Sequence, residues 1–124
     1  MILLDADILL ELLLPGRLRK ARVRQYLQET TETPVITMLS VHLVLHFGLR
    51  EKIDIADLQT FLSSYEKVSM LSADYDEAMR LLKDRDHEDT LQLAAARRAG
   101  CTKIVTLDKK FAETYHDKIA FQVL

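Results

Sequence analysis

Met1-Ile2-Leu3-Leu4-Asp5 and, near the far end of the chain, Ile104-Val105-Thr106-Leu107-Asp108 have the same form: a short, largely apolar run closed by an aspartate. Such runs predict strands buried on both faces, as in a parallel sheet covered by helices. Val35 to Met38 and Val68 to Leu71 read the same way, and Phe121 to Leu124 adds a last strand. Between them lie stretches rich in Leu, Ala, Arg, Lys, Glu and Gln with apolar spacing of three and four. These predict helices over about 18 to 30, 41 to 51, 55 to 65, 73 to 84 and 89 to 99. Ser40, Asp54 and Ser72 stand where N-caps belong, and Gly100 where the last of these helices ends. Strands alternating with helices specify an α/β fold with a central parallel sheet, whose ligands bind beyond the carboxyl ends of the strands.

The 124 residues leave room for one domain spanning 1 to 124, with no repeat or linker in it. Apolar residues make up 48% and charged residues 29%, a balance that supports a buried core without staples. One cysteine, Cys101, excludes an internal disulfide framework and fits a reducing cytoplasm. Asp5, Asp7 and Glu11 interrupt the apolar N-terminus, and no basic segment precedes it, so neither a signal peptide nor a membrane span is expected. With 17 basic and 19 acidic side chains the net charge is −2, so any nucleic-acid partner must be held by a local patch.

In a parallel sheet, Asp5 and Asp108 end up at one rim although they come from opposite ends of the chain. Asp89, preceded by His87 and Glu88, opens a helix, where backbone dipoles favour negative charge. Gathering such carboxylates is costly through mutual repulsion, and a divalent cation offsets it; oxygen ligands of this hardness select Mg²⁺ or Mn²⁺. Phosphodiester hydrolysis is the chemistry that suits such a site. Asp7 and Glu88 are the candidate supporting acids. The plainer alternative is that each aspartate merely ends a strand or caps a helix.

Asp5 in Leu-Leu-Asp-Ala-Asp-Ile-Leu-Leu, Asp89 in Glu-Asp-Thr-Leu-Gln-Leu-Ala-Ala-Ala and Asp108 in Ile-Val-Thr-Leu-Asp-Lys-Lys-Phe together resemble the PIN-domain family. The resemblance runs from residue 1 to about 112, and its order, spacing and length are similar to those of small bacterial toxins of VapC type. It implies a PIN-like, Rossmann-like three-layer α/β/α sandwich and a metal-dependent ribonuclease site with Asp5, Asp89 and Asp108 as metal-site acids. It also implies that Thr106 supports Asp108 and that Asp7 fills the polar position after the first acid. In one place the chain departs from the pattern. The family usually has a glutamate six residues beyond a serine on the helix after the second strand, and counting from Ser40 puts His46 there. Three consequences stay open: the imidazole ligates the ion and tilts preference toward Mn²⁺, Asp7 or Glu88 supplies the missing charge, or the domain is catalytically impaired and binds RNA or a protein.

His42 and His46 lie at i and i+4, a metal-ligand spacing, but Leu43 stands where a zinc hydrolase needs its general-base glutamate. Arg17, Arg19, Lys20, Arg22 and Arg24 form a basic run, and Lys109 and Lys110 directly follow Asp108; phosphate binding and a solvated surface are the two readings of each. Arg17, Arg19, Lys20, Lys109 and Lys110 are the candidate RNA contacts. With aromatics at 6% and no tryptophan, broad base-stacking platforms are not indicated. Surplus apolar residues at Leu9 to Leu14 and around Leu58 and Phe61 suggest a homodimer or antitoxin surface, with core packing as the alternative.

Overall fold

The strand that begins the chain, β1 (Ile2–Leu4), is completely buried. In the computed structural model, which describes residues 1–124, it lies at the centre of a five-stranded parallel sheet. The others are β2 (Pro34–Thr37), β3 (Glu66–Val68), β4 (Lys103–Thr106) and β5 (Ala120–Val123), in the order β3-β2-β1-β4-β5. Leu3 pairs with Val35 on one side and Ile104 on the other. Strand order reverses between β1 and β4, so the crevice beyond their carboxyl ends is the topological switch point of the sheet.

The seven helices are α1 (Ala6–Leu13), α2 (Lys20–Glu29), α3 (Met38–Arg50), α4 (Ile55–Ser63), α5 (Ser72–Leu81), α6 (His87–Ala99) and α7 (Lys109–Tyr115). Alternation along the strands sends side chains into two cores. Ile2, Leu4, Ile36 and Val105 pack with Ile8, Val23, Val44 and Leu58 of α1 to α4. Leu3, Val35 and Ile104 pack on the opposite face with Leu93, Phe111 and Tyr115 of α6 and α7. This is the expected three-layer sandwich. Burial of each such aliphatic side chain is worth about 1.5–3 kcal/mol, which outweighs the weak local preferences of strands only three or four residues long.

Local chemistry sets the ends of the elements. Gly100 closes α6 with φ 76°, a conformation that glycine takes without a Cβ penalty. Gly48 is required for contact: a Cβ there would stand 2.5 Å from Leu58 Cδ2, so its absence lets α3 lie against α4. Asp54 caps α4 as expected, whereas α3 is capped by Thr37, whose hydroxyl accepts from the Ser40 amide at 3.1 Å. Ser40 and Ser72 are therefore inside α3 and α5. Helices α1 and α7 were not predicted from periodicity. The expected apolar surface is largely core: Leu9 and Leu58 are fully buried, and Leu10, Leu12, Leu13 and Phe61 pack against the same cluster. No helix is long and apolar enough to cross a membrane.

Candidate functional site

β1 ends by handing its chain to Asp5, whose amide donates to the Val105 carbonyl at 2.9 Å and so ties the residue to β4. Its carboxylate caps α1, with Oδ1 accepting from the Ala6 amide at 2.8 Å, and Oδ2 accepts from the Thr106 hydroxyl at 2.8 Å. The Thr106 hydroxyl is also 3.1 Å from Asp7 Oδ2 and accepts from the Asp108 amide at 3.0 Å. Asp7 Oδ2 further accepts from the Leu107 amide at 3.1 Å. One buried hydroxyl thus meets the carboxylates of Asp5 and Asp7 and the backbone amide of Asp108. Asp108 itself caps α7, with Oδ1 accepting from the Phe111 amide at 3.1 Å.

Helix α6 brings the remaining acids. Asp86 caps it, its Oδ1 accepting from the Asp89 amide at 3.3 Å. Asp5, Asp7, Asp86, Glu88, Asp89 and Asp108 line one cavity of about 280 Å³, walled also by Leu43 and Phe47 of α3 and by Gln92. Gln92 is buried and locks α6 to the start of α3: its Oε1 accepts from Thr37 at 2.6 Å and its Nε2 donates to Ser40 Oγ at 2.6 Å. Asp5, Asp89 and Asp108, with Asp7 and Glu88, are thus acids named from the sequence that the fold brings to one cavity. Asp86 joins them without having been named; its signal is its place three residues before Asp89, the spacing of an N-cap from the amide it accepts.

No basic side chain lines this cavity. Burial, helped by the charge of Asp7, pushes the Asp5 carboxyl up from 3.8 to about 7, against the pull of its hydrogen bonds. Burial likewise raises Asp7 to about 6. Burial and the nearby Asp5 and Asp86 raise Asp89 to about 9. Asp7 Oδ1 is buried without any hydrogen-bond partner. An all-oxygen set with unspent negative charge and an orphaned carboxylate oxygen fits a hard divalent cation. As the side chains stand, no three acidic, imidazole or thiol groups are drawn tightly enough together to form a ready ligand set.

His46 does not reach this cavity. It is exposed, as is His42, and the two rings stack on each other with centroids 6.1 Å apart. The position facing the acids is Leu43. Because Thr37, and not Ser40, carries the hydroxyl at the strand-to-helix junction, counting six residues on arrives at Leu43. Three residues further, His46 lies about 4.5 Å along the helix axis and about 60° around it.

The basic candidates separate in the same way. Arg17 and Arg19, in the turn before α2, line a cavity of about 260 Å³ with Asp7, Glu11 and Asp108, adjoining that of the acids. Buried Glu11 anchors the turn by accepting from the Arg19 amide at 2.6 Å. On the other flank, Lys110 lines a cavity of about 520 Å³ with Arg85, Asp89 and Asp108. Lys109 faces an apolar groove between α7 and β5 instead, and Lys20 borders none of these cavities.

The aspartates at the ends of the first and fourth strands and on α6 thus gather at the switch point of an α/β/α domain, where such folds bind ligands. The PIN-domain family model matches residues 2–117, and the chain belongs to that family. Solved structures share its fold. The Mycobacterium tuberculosis toxin VapC20, described as cleaving the sarcin-ricin loop, superposes with a TM-score of 0.76 at 13% identity, covering 91% of this chain and 94% of that one. A toxin-antitoxin complex from Klebsiella pneumoniae gives 0.74 at 19% identity, covering 90% of each chain. FitAcB from Neisseria gonorrhoeae gives 0.64 at 21%, covering 98% and 96%. No curated protein matches the chain by sequence.

Proposed function

We propose that this chain is a metal-dependent endoribonuclease of VapC toxin type, hydrolysing RNA phosphodiester bonds at a centre where Asp5, Asp89 and Asp108 hold Mg²⁺ or Mn²⁺. The observation that carries this reading is the convergence of those three carboxylates, with Asp7, on one cavity that no basic side chain lines. When bound, the cation supplies Lewis-acid stabilisation of charge on the phosphoryl oxygens. The chain's own residues prepare the site. Thr106 holds Asp5 and Asp7 in register through one hydroxyl, and Asp86 fixes the first turn of α6 on which Asp89 rides. Burial and the neighbouring acids raise the Asp89 carboxyl, so a cation bound there favours loss of its proton. Arg17 and Arg19 on one flank and Lys110 on the other hold the phosphates on either side of the cleaved bond.

The toxin assignment carries further expectations: a cytoplasmic protein, a homodimer, and an antitoxin encoded beside it. The toxin-antitoxin complex among the matching structures supports the last of these. Purified protein incubated with labelled single-stranded and structured RNA should cleave in Mg²⁺ or Mn²⁺, and EDTA or Asp5→Asn should abolish the products. Cleavage without metal, or undiminished by Asp5→Asn, would refute the proposal.

One observation favours a second reading, a PIN domain that binds RNA or a protein without efficient cleavage: where α3 meets the acid cavity it presents Leu43 and Phe47 and no acid. This reading expects tight RNA association with no turnover in any metal, and a gain of cleavage in Leu43→Glu. Robust cleavage by the wild-type protein removes it.

A further inference from the structure

Helix α3 carries an aromatic and cationic strip that no core uses. Phe47 is half-buried, yet it belongs to neither hydrophobic cluster; it lines the acid cavity instead. The His46 ring meets it edge-on, with centroids 5.1 Å apart and planes at 82°. The Arg50 guanidinium lies 5.8 Å from its centre, and His42 extends the strip by stacking on His46. His42, His46 and Arg50 are all exposed. We infer that Phe47, flanked by His46 and Arg50, is a stacking site for one unpaired nucleobase next to the phosphodiester that the acids engage. This rests on the nuclease reading and deepens it by assigning a base-stacking position beside the acids.

Chemistry and position both support this occupant. Unpaired bases are recognised by stacking on aromatic rings and guanidinium planes, and every base offers a π-face to such a ring. The arginine adds a cation to a ring it already approaches and faces the polyanion. Phe47 is joined to the acids by the wall of one cavity, so a base stacked there belongs to a nucleotide adjoining the bound phosphate. In a paired helix that base stays in its stack and is withheld from the ring.

The test uses a short single-stranded RNA bearing 2-aminopurine, whose fluorescence falls when the base stacks, titrated with the full chain in Ca²⁺. Wild-type protein should quench the signal. Phe47→Leu, which keeps an apolar side chain of a fold whose cores do not include this ring, should lose the quenching and about tenfold in affinity. His46→Ala should lose less, and a duplex of the same sequence should show no quenching with any variant. Thermal melting of Phe47→Leu, expected to match wild type, separates loss of stacking from loss of fold; should it melt early, quenching by His46→Ala and Arg50→Ala, both at exposed positions, decides. RNA that binds and is cleaved without quenching, or quenching that Phe47→Leu leaves intact, overturns the inference while the nuclease reading stands. No RNA binding by the wild-type chain overturns both. A Phe47→Leu protein that turns from dimer to monomer in light scattering overturns it as well, showing a contact between copies.

Discussion

Asp5→Asn should abolish RNA cleavage and at the same time stabilise the metal-free protein, with a gain that depends on pH. In the wild type the Asp5 carboxyl is raised from 3.8 to about 7, chiefly by burial. Below pH 3.8 it is protonated in the folded and the unfolded chain, and the substitution should change little. Between about pH 4 and 7 the unfolded chain gives up a proton that the folded one keeps, so wild-type stability falls as pH rises. Above pH 7 the loss is complete, and a shift of this size corresponds to about 4 kcal/mol. Asparagine carries no charge to desolvate. Its Oδ1 can still accept from the Ala6 amide, and its Nδ2 can donate to the Thr106 hydroxyl, which then turns its proton to Asp7 Oδ2. The buried network therefore stays satisfied. Urea unfolding in EDTA should show Asp5→Asn more stable by about 2–4 kcal/mol at pH 8, and by less than about 1 kcal/mol at pH 4. An advantage that does not grow with pH, or a variant less stable than wild type at pH 8, would refute the account of the cavity as uncompensated negative charge.

The same charge should make the cation a stabiliser: Mn²⁺ should raise the melting temperature of the wild type more at pH 8 than at pH 5.5, where Asp5 and Asp89 are protonated, and Asp89→Asn should shrink that rise in a thermal-shift assay. Arg17→Ala and Arg19→Ala should each weaken RNA binding across sequences and lower the slope of log affinity against log salt by about one, as measured by fluorescence anisotropy. Arg98→Met should cost about 2 kcal/mol in chemical unfolding, because it strips the 2.7 Å partner from Asp74, whose side chain is only 2% exposed.

Much of this site could be read from the chain because its chemistry sits at places that leave a local mark. Asp5 and Asp108 each end a short, largely apolar run, and Asp89 opens a long helix, so fold and acids were legible together. Two helices were not. Ala6–Leu13 is only eight residues long and continues the apolar N-terminal run that reads as strand; Lys109–Tyr115 is shorter still, too short to display a helical period. The register of α3 failed for a different reason. Thr37 and Ser40 are both hydroxyl residues near a helix start, and only the end of β2 decides which of them caps it. Six residues from Ser40 lies the exposed His46, whereas six from Thr37 lies Leu43, which lines the cavity. The basic run shows the same limit, since Arg17 and Arg19 reach the acids through a turn anchored by buried Glu11, a contact across eight residues that composition does not announce.

That the cavity meets Leu43 and not His46 changes the chemistry open to the site. A histidine at the cavity would have offered a nitrogen ligand and a charge that varies near neutral pH; a leucine offers neither. Leu43 and Phe47, four residues apart, instead give the acids one apolar wall. An apolar wall lowers the local polarity, which raises carboxyl pKa values, and the values of about 7 for Asp5 and about 9 for Asp89 are what such a wall helps to sustain. Leu43→Glu would therefore act in two opposed ways: it adds a ligand that strengthens cation binding, and it adds a further charge that the cation-free protein must bear. Mn²⁺ titration by calorimetry should show tighter binding, and unfolding in EDTA at pH 8 should show lower stability. If both quantities moved in the same favourable direction, the wall would not be setting the charge of the site.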